Sequence, residues 1–180
     1  MFKENLHNSF IEFCKKNKFE INNQQIKIID QLVKFIEPKK TIFNNIFNSK
    51  EKLCFYLHGN VGVGKTMLIN FVYEHLINKK TRIHFNEFMI NFHNYRHKEK
   101  INDNSIKSFV KNLKDKFEII YFDEFQVTNI VDAMILGKLF EVIFSENIKV
   151  IITTNIMLDD LYKDGLQREQ FLPFISIIKN

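Results

Sequence analysis

The stretch that most constrains this chain is Gly59-Asn60-Val61-Gly62-Val63-Gly64-Lys65-Thr66, which fits the pattern G-x-x-x-x-G-K-[ST]. The chain has 5 glycines, and three of them fall inside these eight residues. Leu53-Cys54-Phe55-Tyr56-Leu57 leads in as an almost purely apolar run, the mark of a strand buried on both faces. Leu68, Ile69, Val72 and Leu76 follow at helical spacing. A glycine turn between strand and helix wraps main-chain N–H groups around a phosphate chain, and the helix N-terminus favours the anion. In such a cradle Gly59, Asn60, Val61, Gly62, Val63 and Gly64 supply the wall. Lys65 reaches the β- and γ-phosphates, and Thr66 offers its hydroxyl to Mg²⁺.

Around this turn the pattern alternates. Arg82–Phe85 reads as a second strand, and Phe88, Phe92 and Tyr95 as the helix after it. Ile106–Lys114 reads as another helix, Glu118–Phe122 as a third strand, Ile130–Phe144 as a helix and Lys149–Thr153 as a fourth strand, with helical residues to the end. Strand–helix alternation predicts an α/β fold with a parallel sheet flanked by helices. Upstream, Phe2, Leu6, Phe10 and Phe13, then Ile21, Ile28, Leu32 and Phe35, recur at helical spacing, and Pro38 closes that stretch. The phenylalanines there are read as core. Residues 39–52 read as a polar connector and 98–105 as a polar loop. The expected division is an N-terminal helical segment over 1–50 and a P-loop core over 51–180.

The third strand ends in Asp123-Glu124, which sets two acids at the C-terminal edge of the sheet, where open α/β sheets bind ligands. Asp123 is the candidate Mg²⁺ ligand, and Glu124 the candidate general base that orients the attacking water. The fourth strand ends at Asn155, whose amide can hydrogen-bond a γ-phosphate or that water. Arg168 is one of three arginines, with Arg82 and Arg96. A guanidinium presents several fixed donors to a phosphoryl group, so Arg168 is a candidate arginine finger acting in a neighbouring subunit's site.

Composition narrows the setting. The net charge is +5, but the basic residues are scattered. The chain has 20 Phe and no Trp and is crowded with Lys, Asn and Ile, residues that share A/T-rich codons. The charge is therefore read as background, and nucleic acid is not the expected partner. No apolar run approaches the ~18 residues of a membrane span. Lys3, Glu4, Asn5, His7 and Asn8 break any signal peptide, and Glu4 and Glu12 speak against a mitochondrial presequence. Cys14 and Cys54 lack metal-ligand spacing, so a reducing, cytoplasmic setting is expected. His93 and His97 are four apart but have no acidic third ligand. Gly137 is expected to let its helix pack closely on the sheet.

Phe122-Asp123-Glu124-Phe125-Gln126-Val127-Thr128-Asn129-Ile130-Val131-Asp132-Ala133-Met134 resembles the ZapE group of AAA+ ATPases, which includes the mitochondrial proteins named after yeast "ATPase family gene one". Gly59–Thr66, Arg82–Met89, Asp160–Arg168 and Phe171–Phe174 agree with it. The resemblance implies an AAA+ sheet in which the Asn155 strand lies between the P-loop strand and the Asp123 strand. It implies Lys65 and Thr66 as nucleotide ligands, Asp123 and Glu124 as the acidic pair, Asn155 as a sensor and Arg168 acting in trans. It further implies Mg-ATP as substrate, a homo-oligomeric, six-membered ring, and a protein client, with the division protein FtsZ suggested by ZapE.

Two departures stand out. The family usually has Asp where this chain has Asn129, which can still cap a helix. Twelve residues follow Arg168, too few for a fifth strand and a helical lid, so a shortened member is expected. An ATP-gated nucleic-acid loader resembling helicase loaders, and a nucleotide-binding scaffold without turnover, remain open beside the ATPase reading.

Overall fold

The computed structural model describes residues 2–37, 52–99 and 104–179. Pro38 and nearly all of the expected connector lie outside these residues, as does the middle of the 98–105 loop. The chain forms two compact units and crosses between them three times: after Lys52, inside the glycine turn after Val63, and after Ile77.

Among the described residues the first unit holds three helices: α1 (Phe2–Lys16), α2 (Asn23–Ile36) and α3 (Lys65–His75). On α1 the buried stripe is Leu6, Phe10 and Cys14, spaced by one helical turn each. The start of α2 is fixed by the Asn22 side chain, which accepts from Gln24 N–H at 2.8 Å. That cap leaves Ile21 outside the helix and 41% exposed, contrary to the sequence expectation. Leu32 and Phe35 are buried as expected, together with Ile29, Val33 and Ile36. Leu68, Ile69, Phe71 and Val72 are the buried face of α3. Phe10 meets Phe71 edge-on, with centroids 5.1 Å apart.

The second unit holds a four-stranded parallel sheet and its helices. The strands are β1 (Cys54–His58), β2 (Lys80–His84), β3 (Ile119–Asp123) and β4 (Lys149–Thr154). Their order is β1-β4-β3-β2, all parallel. This is the expected α/β architecture, with the fourth strand between the first and the third. The helices are α4 (Phe85–Lys98), α5 (Ser105–Lys116), α6 (Ile130–Ser145) and α7 (Leu172–Lys179), with short 3₁₀ turns at Leu158–Asp160 and Arg168–Gln170. The second strand stops one residue earlier than expected. Phe85 already belongs to α4 and is buried against Phe125, with centroids 4.1 Å apart.

Alternation along the strands sorts their side chains. Ile120, Phe122, Val150 and Ile152 join Phe88, Phe92, Phe109, Leu136, Phe140 and Phe174 in one apolar core. Tyr121, Asp123 and Thr153 alternate with them and carry the polar groups described below. Gly137 meets the start of α7, Pro173 and Phe174, rather than the sheet. Among the described residues no helix is long and apolar enough to cross a membrane.

Candidate functional site

Parallel pairing brings three strand ends to one edge. His58 pairs with Thr154, and Gly59 N–H donates to Thr154 O at 3.3 Å. Phe125 N–H donates to Thr153 O at 2.9 Å. The glycine turn, the acidic pair and Asn155 therefore leave adjacent strands at the same edge. In the turn, Gly62 and Gly64 have φ of +83° and +85°, which glycine adopts without steric cost. Gly64 caps α3, so Lys65 and Thr66 are that helix's first two residues.

Asp123 is 3% exposed and densely bonded. Its Oδ1 accepts from Thr153 Oγ1 at 2.7 Å, from Tyr121 OH at 3.0 Å and from the Glu124 N–H at 3.1 Å. Its Oδ2 accepts from Arg82 Nη2. Burial would raise this carboxyl. The hydrogen bonds from Thr153, Arg82 and Tyr121, with the Arg82 charge, outweigh burial and hold it below the ordinary carboxylate range. Burial pushes the Tyr121 phenol up to about 12, so it remains a proton donor.

Glu124 behaves oppositely. Its side chain is 80% exposed, and its Oε2 lies 3.7 Å from His84 Nδ1. Its φ is +53°, a left-handed conformation that costs a non-glycine residue about 1 kcal/mol. The flanking residues enforce it. Phe125 is fully buried, its N–H bonded to Thr153 O and its carbonyl to Thr154 Oγ1 at 2.7 Å. With Asp123 and Phe125 both fixed inward, Glu124 must point out at the sheet edge. Asn155 is exposed there at the end of β4.

Arg168 lies on its own chain's turns. Its Nη1 donates to Leu161 O at 2.9 Å and its Nη2 to Asp159 O at 2.6 Å. His93, singled out for its spacing to His97, bonds Asp132 through Nε2 at 2.6 Å. Asp132 in turn holds the Asn129 amide at 2.6 Å, while Asn129 accepts from Asp132 N–H at 2.8 Å and caps α6 as expected. Sequence reading missed Arg82, Tyr121 and Thr153 as partners of Asp123. The signal was present for Tyr121, two residues before Asp123 on the same strand face. Arg82 and Thr153 become visible only once the register is known.

The fold and the sheet edge define an α/β domain with a P-loop-type turn at the C-terminal edge of a parallel sheet. Two solved structures share the architecture. One is the DnaI, with a TM-score of 0.55 and 17% identity, covering 91% of this chain and 85% of that one. The other is the DnaC helicase loader, with a TM-score of 0.54 and 17% identity, covering 90% and 89%. At such identities the likeness is one of fold. Residues 12–180 match the family described as AFG1-like ATPase, and the chain belongs to that family. It is 41% identical over 137 residues to Lactation elevated protein 1 homolog B of Danio rerio, which covers 69% of this chain and 27% of that protein. It is 38% identical over 125 residues to Cell division protein ZapE of Escherichia coli K12, covering 69% and 33%. The chain thus matches about a quarter to a third of the length of these relatives.

Proposed function

We propose that this chain binds Mg-ATP and directs water onto its γ-phosphate. The observation that carries the reading is the shared edge of β1, β4 and β3, where Gly59, Asn155 and the Asp123–Glu124 pair leave neighbouring strands. Membership in a family of ATPases supports it.

In this reading the main-chain amides of Gly59–Gly64 and the Lys65 ammonium hold the phosphates. The Asp123 carboxylate, kept ionised, is a hard oxygen of the kind Mg²⁺ takes, and the sequence pattern of the P-loop gives the Thr66 hydroxyl the same role. When bound, Mg²⁺ neutralises charge on the phosphate oxygens. Glu124, exposed and fixed in direction, accepts the proton of the attacking water, and Asn155 orients the γ-phosphate or that water. Coupling of this cycle to a protein partner, and assembly of copies in which Arg168 serves a neighbour, belong to the same proposal.

Nucleotide binding and single-turnover phosphate release test it, with wild type, Glu124→Gln and Lys65→Ala compared. Glu124→Gln should bind ATP as wild type does and lose about 100-fold or more in turnover. Lys65→Ala should lose binding. Equal, negligible turnover in wild type and Glu124→Gln would leave a nucleotide-binding scaffold. Unchanged affinity in Lys65→Ala would remove the site.

A further inference from the structure

The two oxygens of Asp123 are treated differently. Oδ1 takes three donors, from Thr153, Tyr121 and the Glu124 N–H, at 2.7, 3.0 and 3.1 Å. A carboxylate oxygen offers about two lone-pair sites, so Oδ1 is filled. Oδ2 is the oxygen turned towards a cation, and Arg82 Nη2 sits on it.

Strand register puts the guanidinium there. Arg82 pairs with Tyr121 across β2 and β3, and paired residues of adjacent strands share a face. The guanidinium carbon also lies 5.4 Å from the Tyr121 ring centroid. The two partners differ in freedom. The Asp123 side chain is 4% exposed, whereas that of Arg82 is 36% exposed and can swing towards solvent. A buried carboxylate requires a counter-charge, and its removal without replacement is costly. A second cation arriving at Oδ2 would relieve that requirement and release the arginine.

We infer that Arg82 is a positioning residue that stands in for the metal on Asp123 Oδ2, so that Mg²⁺ loading proceeds by exchange with the arginine. This rests on the proposed role of Asp123 as the metal's carboxylate. A purely structural Arg82 would affect stability and leave the Mg²⁺ requirement alone.

The test is a titration with free Mg²⁺, at fixed ionic strength, of the binding of a fluorescent ATP analogue. Wild type, Arg82→Lys and Arg82→Gln are compared, with melting temperature recorded for each. The Mg²⁺ midpoint should fall about tenfold in Arg82→Gln, where the competing charge-assisted bond is gone. It should fall less in Arg82→Lys, which keeps the charge and loses the planar fork. Unchanged midpoints beside lowered melting temperatures would overturn the inference, as would midpoints that rise. Should Arg82→Gln fail to fold, wild type against Arg82→Lys decides by the same criterion. Mg²⁺-dependent binding that ignores Arg82 removes only this inference. Absence of nucleotide binding at every Mg²⁺ concentration removes the proposed site and this inference with it.

Discussion

Thr153 Oγ1 donates to Asp123 Oδ1 at 2.7 Å, just beyond the last paired residues of β3 and β4, Phe122 and Ile152. The bond ties the acidic end of one strand to the polar end of the next, in a place where both residues are buried. Thr153→Val keeps the shape and deletes the donor. It should lower stability by about 1–3 kcal/mol, the usual cost of a buried polar group left short of a partner. Thr153→Ser should lose less. Urea denaturation of the three proteins measures this, and a Val variant as stable as wild type would show that the bond contributes nothing.

Acid should act through the same carboxylate. The fold holds Asp123 below its ordinary pKa. A depressed folded pKa stabilises above the unfolded value, and that contribution is lost as pH falls through the folded value. The window therefore lies below about pH 4, the ordinary carboxylate range. Other acids titrate there too, so the informative quantity is a difference. Between pH 6 and pH 2 the urea midpoint of wild type should fall more steeply than that of Asp123→Asn. Parallel curves would mean that the network around Asp123 does not favour its charged form.

Two glycines should respond oppositely to alanine. At Gly137 an added Cβ would meet Phe174 N and Pro173 Cβ at 3.5 Å, ordinary contact distance. Gly137→Ala should be tolerated and should raise stability by up to about 1 kcal/mol, the helix-interior difference between the two residues. At Gly165 a Cβ would lie 2.2–2.4 Å from the Tyr162 ring. That ring packs on Phe171, and its hydroxyl donates to Leu166 O at 3.0 Å. Gly165→Ala should cost about 1–3 kcal/mol through forced displacement of the ring. It should also loosen the turn that Arg168 braces through the carbonyls of Asp159 and Leu161. Thermal melts distinguish the pair, and a neutral Gly165→Ala would mean that the ring moves freely.

Much of this arrangement was legible before the structure, for identifiable reasons. The apolar runs around Tyr121 and Ile151 are dense enough to read as buried strands; the run around Phe55 is a strand too, but its residues are only partly buried, contrary to the expectation of a strand buried on both faces. The glycine turn fixes what joins the first strand to its helix. The strand order followed from the Phe122–Met134 resemblance, since local pattern says nothing about which strands become neighbours. What escaped was non-local or directional. The start of α2 depended on a single cap at Asn22, whose side chain excluded Ile21 from the helix. The contact of Gly137 with α7 depended on where the last helix docks. Arg82 looked like an ordinary strand residue because its partner lies 41 positions away. Equally hidden were the bonds from Arg168 Nη1 and Nη2 to main-chain carbonyls seven and nine residues back.

The last prediction concerns β1, which carries the glycine turn. Cys54 begins that strand and packs against the apolar core. Burial pushes its thiol up to about 12. The fold thus favours the neutral thiol, and a reagent that attacks thiolate should find almost none at pH 8. A raised folded pKa stabilises below the unfolded value and is lost as pH climbs towards the folded one, so this contribution should fade between about pH 9 and about pH 12. In a Cys14→Ser background, where Cys54 is the single thiol, a chromogenic disulfide reagent at pH 8 should label the native protein slowly. It should label the protein in concentrated urea within the mixing time. Raising the pH towards 10 should speed native labelling less than it speeds labelling of an unfolded peptide. If native Cys54 reacted at the unfolded rate, the start of β1 would not be packed against the core, and the shared edge of the three strands would lose its anchor at Gly59.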